Sequence, residues 1–159
     1  PRFASECANI CTSNGGKLEW VAEVKYLGIF FQEGRTLRCC FDTAKRKFNR
    51  AVNCVLGKVG LRASEDVLVH LVNHKCMPIL LYGTECCNLS KRVLSSLDFT
   101  VVRFFMKIFR SNNRDIIAYI MNMFCVKLPS ESVRCRQHKF RWQFTCCVNN
   151  FCQFVDSLV

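Results

Sequence analysis

A chain of 159 residues, half of them hydrophobic, can bury the core of one domain or of one small domain plus an appendage, which excludes a disordered tail. Its 23 lysines and arginines against 12 acidic residues give a net charge of +11. An excess of this size points to a polyanionic partner, most often nucleic acid, or to a plain solvated basic surface, and only the distribution of the charge favours the first. The longest apolar run, Met77 to Tyr82, contains Pro78 and falls far short of the roughly 18–20 residues a spanning helix needs; nor does a charged-then-apolar segment of signal-peptide type open the chain, so no membrane partner is expected.

In chain order, residues 1–16 form a polar lead-in that ends on the turn signal Asn14-Gly15-Gly16. Cys7-x-x-x-Cys11 lies within it, without a second Cys or His pair at zinc-finger distance. Lys17 to Phe31 supplies the two arms of a predicted hairpin, broken near Ala22-Glu23. Val24 to Phe31 is short, apolar and rich in β-branched and aromatic residues, and reads as one buried strand between turn formers. Gly28 inside that strand suggests a bulge or a very close approach of another backbone or a ligand.

Everything after Gly34 reads as helix. From Thr36 the apolar period becomes three to four: Leu37, Cys40, Phe41, Ala44, Phe48, Ala51, Val52, Val55 and Val59 form a stripe, with Arg38, Lys45, Arg46, Arg50 and Lys58 mainly on other faces. Gly57 and Gly60 suggest a stop. Ser64, followed by two acids, is the next predicted N-cap, and Pro78 should kink or break that helix. Ile79 to Cys87 is apolar enough to be buried on most sides, with Gly83 allowing close packing. Ser90 should cap a helix striped by Leu94, Leu97, Val101, Phe104, Phe105 and Ile108. Asn112-Asn113 punctuates, and Asp115 to Phe124 is a shorter helix. Leu128-Pro129-Ser130 precedes a final basic helix with Arg134, Arg136, Lys139 and Arg141, running to about Phe154. The fold class is mainly α, a short β-hairpin followed by a helical bundle, with boundaries at 1–34, 35–125 and 126–159.

The charge is concentrated. Arg35 to Arg62 holds eight basic residues against the single Asp42, and Arg103 to Arg141 holds nine against Asp115 and Glu131. The 13 cysteines are odd in number and include three adjacent pairs, which argues against a disulfide framework; on apolar helix faces they would serve as small hydrophobes. A metal site on Cys125, Cys135, His138 and Cys146 is the other possibility for them, but those spacings match no common zinc pattern.

Lys25-Tyr26-Leu27-Gly28, preceded by Leu18 to Val24, resembles the last conserved block of the reverse transcriptases of LINE-type (non-LTR) retrotransposons. Pro78-Ile79-Leu80-Leu81-Tyr82-Gly83-Thr84-Glu85-Cys86-Cys87 resembles the block that follows it there on a thumb helix, with Cys87 at a position commonly Trp. Val133 to Trp142 is similar to a third, looser block whose basic helix ends in Arg-Trp; Gln143-Phe144 replaces the Gly-His pair usual after it. The three together cover roughly Leu18 to Trp142.

The resemblance implies the carboxy-terminal part of an RNA-directed DNA polymerase, the end of the palm followed by the thumb. Its partners would be RNA template, DNA primer, RNA–DNA hybrid, and the upstream palm and fingers of the same polypeptide, in the nucleus and cytoplasm. The family's catalytic Asp-Asp turn, which holds Mg2+, would lie upstream of Pro1, and the absent initiator Met suits a fragment. No adjacent Asp-Asp pair occurs in this chain, so no catalytic residue and no cofactor is assigned to it. Lys25, Tyr26 and Gly28 would resemble a primer grip. Arg38, Lys45, Arg46 and Arg50, with Arg136, Lys139 and Arg141, would face the nucleic-acid backbone. The alternative is a free-standing basic helical nucleic-acid-binding module. A Phe/Tyr-x-Asp-Asp shortly upstream in the parent reading frame separates the two.

Overall fold

The structure is a computed structural model that describes residues 10–34, 38–59, 63–149 and 152–153. It is mainly helical, with a small antiparallel sheet of three strands ahead of the helices. Strand β1 is Glu23–Tyr26, β2 is Ile29–Gln32 and β3 is Arg38–Cys40, with β2 in the centre. The predicted single strand Val24 to Phe31 is thus two strands joined by Leu27-Gly28. Tyr26 pairs with Ile29, and both turn residues have positive φ, 46° and 84°. That is the geometry of a two-residue type I′ turn, whose twist matches the strands it joins. Gly28 is the second turn residue and not a bulge. The strand was also expected to be buried, yet β1 is exposed throughout and only Ile29 to Phe31 of β2 are half-buried.

A second difference lies just beyond. The segment after Gly34 is not all helix, because Arg38–Cys40 pairs with β2 and the first helix begins only at Asp42. Upstream, the Asn14-Gly15-Gly16 signal does make a turn: the Gly16 N–H donates to Thr12 Oγ1 at 3.0 Å, Gly15 has φ 78°, and Cys11 bridges Lys17. Cys7, Thr36, Leu37, Gly60 and Phe154, singled out in the sequence, lie outside the described residues, and the last helix, expected to run to about Phe154, ends at Thr145.

Helix α1 (Asp42–Val59) is followed by α2 (Glu65–Leu71), a π-helical segment (Val72–Cys76) and α3 (Met77–Leu80). The π segment has a cause in the sequence. Pro78 has no N–H to give, and its ring would crowd the carbonyl four residues back; a widened turn with Met77 N–H bonded to Val72 O carries the helix past it. Then come α4 (Lys91–Phe109), α5 (Arg114–Met123) and α6 (Pro129–Thr145). Ser90 caps α4 by accepting from Val93 N–H, and Asn113 caps α5 by accepting from Asp115 and Ile116 N–H. Ser64 occupies the N-cap position of α2 without such a bond. No described helix is long and apolar enough to cross a membrane.

The core is helical. Phe48 and Val52 of α1, Leu80 of α3, Leu97, Val101 and Phe105 of α4, Ile117 of α5 and Val133 of α6 pack together, and Ile29 and Cys39 are the sheet's apolar contributions beside them. Helix α4 touches α1, α5 and α6 and so sits at the centre. The 12 described cysteines are free thiols, but only Cys76 and Cys87 are buried, so most do not act as core hydrophobes.

Candidate functional site

Two distant stretches of chain meet at the hairpin turn. The Tyr82 hydroxyl donates to Leu27 O at 3.1 Å, and a Cβ on Gly28 would lie 3.5 Å from the Tyr82 ring. Next to it Gly83, at φ 71°, accepts the side chain of Ile29 so closely that a Cβ there would overlap it. The turn needs Gly28 for its positive φ, and the contact needs Gly83 for its missing side chain. Behind the turn is a groove of about 340 Å³ between β2, the start of α1 and α3, lined by Gly28, Phe30, Thr43, Lys47, Ile79 and Tyr82 among others.

The cations around this groove are set by helix geometry. Phe48 and Val52 fix the inward face of α1. At about 100° per residue Arg46 and Arg50 then point almost directly away from the core, one turn apart, and Lys47 points to the side that borders the groove. Arg46 and Arg50 are exposed, and Arg46 donates to Thr43 Oγ1 at 3.1 Å. Lys25 lies over the Phe30 ring, 5.8 Å from its centre, and Phe30 lines the same groove as Lys47. The groove therefore brings Lys25, Gly28 and the start of the α1 stripe to one region, with Tyr26 and Leu27 exposed at the turn.

Other predicted residues have different surroundings. Lys45 lies three residues before Phe48, on the inner side of α1; its Nζ is 2.7 Å from Asp42 Oδ1 and donates to Ser96 Oγ at 2.9 Å, tying α1 to α4. The same Lys45 holds the Asp42 carboxyl below its ordinary range. Arg136 points towards the segment after α3: its Nη1 donates to Leu81 O at 3.3 Å and stands 4.0 Å from Glu85 Oε2. Beside it Gln137 Nε2 donates to Thr84 O and Cys87 O. Arg38 is exposed on β3, and Lys139 and Arg141 are exposed on α6. Helix α6 packs on α4, and α4 on α1.

Lys47 was missed as a site residue. Its position one residue before Phe48 signals a flanking face, but its place beside Gly28 and Tyr82 depends on contacts far apart in sequence. Among the described residues no three His, Cys, Asp or Glu side chains converge on a point where a metal would bind. Burial pushes the Cys87 thiol up to about 12, with Cys39 hydrogen-bonded beside it, so this thiol stays protonated and inert at neutral pH. No family model, curated protein or solved structure matches the chain.

Proposed function

We propose that this chain grips primer and template–product duplex as the end of the palm and the thumb of an RNA-directed DNA polymerase of the LINE-type retrotransposon class. The observation that supports the reading is the contact between the Tyr26-Leu27-Gly28 turn and Tyr82-Gly83. These belong to two of the three blocks that carry the resemblance, and the contacting residues lie 55 apart in the sequence. In this reading Lys25 meets a phosphate near the primer end, the turn lies against the strand, and Arg46 and Arg50 follow the duplex backbone. An A-like hybrid is recognised by its shape and phosphates, so point charges one helical turn apart suffice. In this reading the chain's part is to bind and position the duplex.

The test is a salt titration with an RNA–DNA hybrid. If about three to five phosphates are contacted, log K falls with log salt at a slope on the order of −3 to −4.5. The double variant Arg46→Glu, Arg50→Glu should weaken binding and flatten the slope by about 2. Affinity indifferent to salt would sink the proposal.

A further inference from the structure

We propose that the outward face of α6 is a second nucleic-acid surface, specific for single strands, on which Trp142 stacks against an unpaired base. The inference rests on the nucleic-acid reading above and gives α6 a different ligand from α1. Helix α6 buries Pro129 and Val133 in its first two turns; beyond them only Gln137 and Phe144 are even half-buried. On the wheel of this helix, Arg134, His138 and Trp142 fall on the side away from Val133, with Lys139 and Arg141 flanking them. Trp142 is 64% exposed, so its ring contributes little to the core.

The surroundings of that ring select the partner. From Ser132 to Asn149 the chain carries no acidic residue, and of its four Lys and Arg three, Arg134, Lys139 and Arg141, lie on or beside the outward face while Arg136 turns inward. Trp142 is the aromatic of that face, Phe140 and Phe144 stacking together on the opposite side of the helix, so the face lacks the continuous apolar stripe that a lipid surface or a partner helix would cover. It does match the pairing of stacking platform and electrostatic funnel that holds single strands. In a duplex the base faces are covered by their neighbours, so only an unpaired base can present one to Trp142. The platform is also held in place. Arg136 and Gln137, on the inner side, fasten α6 to the carbonyls of Leu81, Thr84 and Cys87.

The experiment uses the whole chain with Trp20→Phe, which leaves Trp142 as the only tryptophan. It is titrated with an oligouridine of about twelve nucleotides, in the range one such site spans, and separately with an RNA–DNA hybrid. The oligouridine should quench the Trp142 fluorescence. Trp142→Ala should lower its affinity on the order of tenfold, Trp142→Tyr should restore most of it, and hybrid affinity should stay within about twofold. Lys139→Glu should reduce the single-strand salt slope by about 0.7. Hybrid binding without quenching by the single strand overturns the platform and leaves the thumb reading standing. Equal losses for both ligands in Trp142→Ala overturn it too. Binding to neither ligand overturns both proposals.

Discussion

A methyl group at Gly83 would run into Ile29, and the backbone there is already in the left-handed region. Gly83→Ala should therefore destabilise the protein by at least about 1–2 kcal/mol from the backbone alone. That is a loss of several degrees in Tm for a chain of this size, measurable by calorimetry. Tyr82→Phe removes one exposed hydrogen bond and should cost at most about 1 kcal/mol. A larger effect would show that the ring does more than hold Leu27 O. Cys87 sets an alkaline limit. Its thiol ionises near 9 in the unfolded chain and only at about 12 in the folded one, where burial opposes the thiolate. Its contribution is complete below pH 9 and is lost as pH rises from 9 towards 12. Cys87→Ser, with the ionisable thiol gone, should show a shallower alkaline decline in chemical denaturation.

At the level of elements, the helices were legible and the sheet only in part, as a hairpin whose turn and third strand were not. The stripes of α1 and α4 repeat at helical spacing, and the residues that define them, Phe48, Val52, Leu97, Val101 and Phe105, are the buried ones. The hairpin turn carries no such signal. Type I′ turns favour Asn-Gly, and here Leu27 sits at φ 46° while 71% exposed. Inside an apolar run that dipeptide looks like more strand. Leu27→Asn should stabilise the hairpin by about 1 kcal/mol, since Asn visits the left-handed region readily. If the exposed Leu27 instead serves a bound strand, the same variant should weaken hybrid binding while raising Tm. β3 was unreadable because three residues, Arg-Cys-Cys, are too few for any pattern. The candidate site was legible in part for a related reason. Spacing from Phe48 places Arg46 and Arg50 outside as expected, but Lys45, also expected on an outer face, is drawn inward to Ser96, and the engagement of Arg136 depends on Leu81 O and Glu85, which no local pattern announces.

Across the whole molecule, the two ends differ in what they expose. The helical end carries its exposed charge on α1, α4 and α6. The sheet end leaves Leu18, Trp20, Val21, Val24, Tyr26 and Leu27 more than half exposed. A patch of this kind should make the isolated chain self-associate. Trp20→Ser with Val24→Thr should lower the sedimentation coefficient at high protein concentration without changing helical circular dichroism.

Two of the fastenings between sheet and helices, Tyr82 to Leu27 and Ile29 against Gly83, have a kinetic consequence. They close a loop of more than fifty residues, so the entropy of bringing those ends together must be overcome before either contact forms. The helices share a buried core to which the exposed edge strand adds nothing, so the sheet can come away while they persist. Amide exchange would record this as two regimes. The inner amides of α4 would open only with global unfolding, whereas β1, at the edge and exposed along its length, would trade its protons through a smaller and far more frequent opening.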